Sequence, residues 1–122
     1  MLVGTPGYMS PEQLLGEKAA ISWDVWALAV TAYEILTGAL PFPAEERVIW
    51  RQSVLAGRYT ALSEYLKDAP ASWREFFARS LAADRTIRPQ SASEFFRDLE
   101  QALSTTQSAS RTAIGTVTGN PI

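Results

Sequence analysis

The sequence predicts an all-α fold, and three observations carry that prediction. The first is the stretch Ser22–Gly38, SWDVWALAVTAYEILTG, in which only Thr31 and Glu34 are polar between Val25 and Leu36. A helix there is apolar on nearly every face, the pattern of a helix sunk in a core. The second is a pair of later segments, opening at Ser72 and Ser91, that each place a hydroxyl three residues before a glutamate and follow it with apolar residues at helical spacing. The third is that no segment shows the apolar-polar alternation of a half-buried strand, and no internal repeat is present.

Each element follows from local chemistry. Gly4, Pro6 and Gly7 punctuate an opening loop. Ser10-Pro11-Glu12-Gln13 then supplies a capping hydroxyl, a proline at the first helical position and a glutamine three residues after the cap, so a short helix is expected to run to Gly16. Ser22 or Asp24 is the expected cap of the buried helix, Gly38 its stop, and Pro41 and Pro43 forbid its continuation. A further helix is expected from Pro43 or Ala44 to Leu55, with Glu45 and Glu46 in its first turn, Gly57 beyond its end, and Val48, Ile49, Leu55, Trp50 and Val54 as core candidates. Arg58 to Pro70 reads as loop with one short turn near Ser63 to Leu66. The helix opening at Ser72 presents Trp73, Phe76, Phe77 and Leu81, and the one opening at Ser91 presents Phe95, Phe96, Leu99, Ala102 and Leu103. From Ser104 the composition turns to Ser, Thr, Gly and Asn, which lacks the material of a core and predicts disorder over 104–122.

Composition bounds the chemistry. The 122 residues suffice for one small domain, and a net charge of -2 gives no electrostatic reason to expect nucleic acid or an anionic membrane as partner. With no His and no Cys, the chain builds no Ser-His-Asp or Cys-His catalytic unit, no imidazole or thiolate zinc site and no disulfide. The twelve residues Val25–Leu36 are too few to cross a bilayer. No signal-peptide pattern opens the chain, and the lack of Cys fits a cytoplasmic setting.

Four motifs carry a resemblance. Gly4-Thr5-Pro6-Gly7-Tyr8-Met9-Ser10-Pro11-Glu12 resembles the end of the activation segment of serine/threonine protein kinases, whose pattern is G-T-x-x-Y-M-A-P-E. Asp24-Val25-Trp26 is similar to the D-x-W opening of that family's central helix, Thr37-Gly38-Ala39-Leu40-Pro41-Phe42 to its T-G-x-x-P-F exit, and Arg88-Pro89 to the R-P pair before its last helix. The resemblance spans Gly4 to Leu103 and has a bacterial flavour. It departs in detail: Ser10 replaces alanine, Ala29 stands where many members have glycine, and Arg85 stands where proline often precedes the R-P pair.

The resemblance implies roles residue by residue. Thr5 matches the threonine that supports the catalytic loop and marks serine/threonine specificity. Gly4, Thr5, Pro6, Gly7 and Tyr8 match the substrate-binding loop. Glu12 and Arg88 match a structural ion pair that ties the activation segment to the helical base. Asp24 and Trp26 match structural positions at the head of the central helix, the aspartate holding the catalytic-loop backbone.

The implied fold is the helical subdomain of a kinase C-lobe, as a partial domain over 1–103. The implied partners are a protein or peptide substrate and the N-terminal kinase portion, which would bring ATP and Mg. The glycine-rich loop, strand lysine, catalytic-loop aspartate and D-F-G aspartate lie upstream of the activation segment in that family, and this chain has no match to them. The chain alone is therefore expected to hold no cofactor or metal and to be inactive. A non-catalytic docking module derived from a kinase is the alternative, and part of the central helix's apolar surface is expected to lie uncovered.

Overall fold

The computed structural model describes residues 6–43 and 45–104, and all their regular structure is helical. A 3-10 turn at Pro6–Tyr8 precedes α1 (Pro11–Leu14), α2 (Ile21–Thr37) and α3 (Arg47–Ala56). A second 3-10 turn at Leu62–Glu64 leads to α4 (Ala71–Ser80), and α5 covers 92–104. The turn expected near Ser63 is thus present. The expected disorder of the tail lies outside the described residues from 105 onward. Among the described residues no helix is long and apolar enough to cross a membrane.

Helix α2 is the axis of the core. Val25, Trp26, Ala29, Val30 and Tyr33 are fully buried along it. It packs against α4 and against the first 3-10 turn, while α1 packs against α3. Tyr33 meets the edge of Phe77 at 5.4 Å between ring centroids, and Phe76 lies 5.3 Å from Phe95 of α5, so one aromatic seam joins α2, α4 and α5. The burial is one-sided. Ile35 is 76 % exposed and Ile21 is also exposed, so the helix carries apolar surface that these residues leave uncovered.

Several helix starts differ from expectation for local reasons. Helix α2 begins at Ile21 with extended Ala20 at its N-cap and no side-chain cap. Ser22 and Asp24 fall inside the first turn and cap nothing, although Asp24 still benefits there from the orphan N–H groups and the helix dipole. Helix α3 starts only at Arg47, because the Glu46 carboxylate takes the cap position and accepts from the N–H groups of Val48 at 3.1 Å and Ile49 at 2.9 Å. That start turns Val48 and Ile49 outward, 60 % and 62 % exposed, and leaves the i, i+4 pair Trp50 and Val54 as the buried face.

Helix α4 shows no Ser72–Glu75 capping box. It starts one residue earlier, with Pro70 at its N-cap, and the Ser72 hydroxyl donates to the Ala102 carbonyl at 3.1 Å, tying α4 to α5. At α5 the Ser91 hydroxyl does accept from the Glu94 N–H at 3.0 Å, but the Glu94 carboxylate pairs with Arg79 of α4, as does that of Asp98. Of the α5 stripe, Phe95 and Ala102 are buried, whereas Phe96 and Leu103 are exposed.

Candidate functional site

Helix α1 is a single turn, and its cap explains why so short an element is fixed. The Ser10 hydroxyl accepts from the Gln13 N–H at 3.2 Å while the Gln13 side chain accepts from the Ser10 N–H at 2.9 Å, a complete capping box. Pro11 presets the first helical φ. The turn so held aims Glu12 into the protein, where its two oxygens accept from the two terminal nitrogens of Arg88 at 2.7 and 2.8 Å. Their side chains are 4 % and 0 % exposed.

Arg88 uses its remaining donors on backbone. Its Nε donates to the Ala82 carbonyl at 2.8 Å and a terminal nitrogen to the Ala83 carbonyl at 3.1 Å, with a longer contact of 3.5 Å to the Ser22 carbonyl. One guanidinium therefore joins α1, the start of α2 and the segment after α4. The Gln90 amide braces that segment by donating to the carbonyls of Arg88 at 2.7 Å and Arg85 at 3.1 Å. Burial pushes the Glu12 carboxyl upward, but the Arg88 hydrogen bonds, with those from Ser22 and the backbone and the Arg88 charge, together hold the group below the usual carboxylate range. The pair is ionised and neutral overall, the condition under which a buried charge is tolerated.

The guanidinium also lies 4.7 Å from the centre of the Trp26 ring, and Trp26 stacks on Phe42 with centroids 5.5 Å apart at 18°. Phe42 reaches that position because α2 ends sharply. Gly38 adopts φ of 77°, which a side chain disfavours, and the Thr37 hydroxyl bridges the Tyr33 carbonyl at 2.9 Å and the Ala39 N–H at 3.1 Å. The four sequence motifs thus each contribute one residue, Glu12, Trp26, Phe42 and Arg88, to a single continuous contact. Asp24 stands apart from it, exposed on the first turn of α2.

Of the loop residues singled out in the sequence, Gly4 and Thr5 lie outside the described residues. Pro6, Gly7 and Tyr8 form the 3-10 turn. Gly7 is buried against Leu40, whose Cδ1 would lie only 2.9 Å from a Cβ built on the glycine. The Tyr8 hydroxyl donates to the Glu34 carboxylate, and that hydrogen bond, with burial and the carboxylate charge, raises the phenol above its ordinary value. Sequence reasoning missed this contact and the Gln90 brace. A signal for the first existed, since Glu34 is one of two polar residues in an otherwise apolar helical run.

The described residues do not fit a nucleotide-metal site. No three of their His, Cys, Asp and Glu side chains are grouped to hold a metal ion, and Gly7, Gly16, Gly38 and Gly57 stand singly.

An all-helical unit of this kind is the C-lobe-like part of a protein kinase. The chain belongs to the protein kinase domain family, whose profile matches residues 1–119. It is similar to serine/threonine-protein kinase H1 of Mus musculus, 36 % identical over 85 residues that make up 70 % of this chain and 20 % of that protein. It is likewise similar to the probable serine/threonine-protein kinase PknB of Bifidobacterium longum, 34 % identical over 98 residues, 80 % of this chain and 14 % of that one. Among solved structures, the autoinhibited serine kinase domain of the giant muscle protein titin matches with a TM-score of 0.66 and 28 % identity, over 76 % of this chain and 29 % of that chain. The chain thus spans a fifth or less of the length of these two curated relatives.

Proposed function

We propose that this chain forms the helical base and the substrate-positioning segment of a serine/threonine protein kinase, and that phosphoryl transfer needs a nucleotide site and catalytic loop that its residues do not build. The observation that carries the reading is the meeting of Glu12, Trp26, Phe42 and Arg88 in one buried contact, one residue from each motif. In this reading the Glu12–Arg88 pair fixes the turn Pro6–Tyr8 relative to α2, and Tyr8 adds a second tether through Glu34. Positioning of this kind lowers a barrier by orienting the acceptor hydroxyl rather than by reacting with it. Thr5 supports the catalytic loop and favours a serine or threonine acceptor. Asp24, exposed on α2, holds the catalytic-loop backbone from below.

The test compares the chain alone with the chain joined to the N-terminal kinase portion of a bacterial relative, using labelled ATP, magnesium and mixed serine, threonine and tyrosine peptides. Transfer is expected only from the joined protein, only to serine or threonine, and is expected to fall in its Thr5→Ala variant. Incorporation by the isolated chain above a Thr5→Ala, Glu12→Ala control would refute the reading. So would tyrosine labelling by a joined protein that melts cooperatively.

A further inference from the structure

Two cavities of about 310 and 450 Å³ share Ser63, of the second 3-10 turn, and Arg74, in the first turn of α4, in their walls. The first is lined mainly by apolar surface from Tyr59 and Leu62. The second is lined by Lys67, Asp68 and Ala69. Lys67 and Arg74 are exposed, and among the described residues neither has an ion pair or a side-chain hydrogen bond. The same holds for the exposed Ser63 hydroxyl.

We propose that this cleft binds a phosphorylated serine or threonine side chain of a protein segment. Arg74 and Lys67 would take the phosphate, one through its planar fork and the other as a point charge, with the Ser63 hydroxyl as a neutral donor. Pro70, the N-cap of α4, offers no side-chain acceptor to that helix end, and no acidic residue lies in its first turn. Asp68 is the single opposing carboxylate on the wall, which leaves the cleft with a net charge of +1 from Lys67, Arg74 and Asp68. The neighbouring apolar cavity suits an aliphatic residue flanking the phosphorylated one, and that second half separates a peptide from a free phosphate ion. The site lies away from the Glu12–Arg88 contact and does not depend on phosphoryl transfer by this chain.

The experiment titrates the full chain with three probes: a fluorescent peptide carrying phosphoserine between two leucines, the same peptide unphosphorylated, and inorganic phosphate as competitor. Anisotropy is expected to report binding of the phosphopeptide alone. Affinity is expected to weaken on the order of tenfold in Arg74→Gln or Lys67→Gln through the lost charge-assisted contact, to strengthen in Asp68→Asn, and to fall with added salt. All three substitutions are at exposed positions, and unchanged circular dichroism and melting would show that the fold is kept. Equal binding of the two peptides overturns the proposal, as does unchanged affinity in the Arg74→Gln, Lys67→Gln double variant. Competition by inorganic phosphate at the same concentration as the phosphopeptide overturns the peptide assignment.

Discussion

Replacing Arg88 with methionine removes the guanidinium while keeping a long apolar side chain, and the structure sets the size of the effect. Glu12 loses both of its hydrogen-bond donors from Arg88 and stays buried, so its carboxylate is stranded, at a cost of about 3 to 5 kcal/mol. The cation–π contact with Trp26 adds about 1 kcal/mol. A small domain has only about 5 to 15 kcal/mol in all, so this one change consumes much of it. The assay is urea denaturation at pH 7 of the wild-type chain, Glu12→Gln, Arg88→Met and the double variant. The double variant is expected to be less destabilised than the sum of the singles by about 2 kcal/mol or more, because it leaves no unpaired charge.

Acid reads the same pair in a second way. In the wild-type chain the folded Glu12 value is depressed, so the pair's contribution is complete above the unfolded carboxylate value near about 4.3 and is lost as pH falls through the folded one. In Arg88→Met the guanidinium no longer offsets burial and the folded value rises relative to wild type, so that variant gains less stability than wild type as pH rises through the carboxylate range. Arg88→Lys, which keeps the charge without the fork, is expected to fall between and keeps the series readable if methionine unfolds the chain. A loss below about 1 kcal/mol for Arg88→Met, or a strictly additive cycle, would refute the clamp.

Three further outcomes are expected. Gly57→Ala should destabilise more than Gly38→Ala in thermal melts: both glycines have positive φ, but only at Gly57 would the new Cβ meet backbone, the Ala83 nitrogen at 3.1 Å. Glu46→Ala should cost about 0.5 to 2 kcal/mol, read as a lower urea midpoint, because two N–H groups at the start of α3 lose their acceptor. Val48→Lys and Ile49→Lys should each stay within about 0.5 kcal/mol of wild type, whereas Val54→Ala on the same helix should cost about 1 to 3 kcal/mol by opening a cavity. Equal losses at Val48 and Val54 would contradict the orientation of α3.

The burial of α2 was legible because Val25–Leu36 is apolar on nearly every face, and the aromatic seam because Phe76, Phe77 and Phe95 fall on apolar stripes at helical spacing. Capping boxes were less reliable guides. Ser10–Gln13 and Ser72–Glu75 have the same spacing, yet only the first closes, since the Ser72 hydroxyl finds the Ala102 carbonyl 30 residues away. Local pattern cannot register that competitor. The orientation of α3 escaped for a similar reason, because a start shifted by the Glu46 cap decides which of the five apolar candidates, Val48, Ile49, Trp50, Val54 and Leu55, face inward. The Glu12–Arg88 pair was indicated only by resemblance, as nothing in the charge pattern links two residues so far apart.

That separation has a kinetic consequence. Glu12 and Arg88 are 76 residues apart, and closing a loop of that length costs about 4 kcal/mol in chain entropy before the contact returns anything. The clasp belongs to the late part of folding, so substitutions at Arg88 should mainly speed unfolding and leave the folding rate little changed. At a synthesis rate of about 5 to 20 residues per second, the Glu12 carboxylate waits about 4 to 15 seconds for its partner to be made. During that interval the α1 turn has its cap and, once Glu34 is made, the neighbouring Tyr8 tether, but not the guanidinium that seats Glu12.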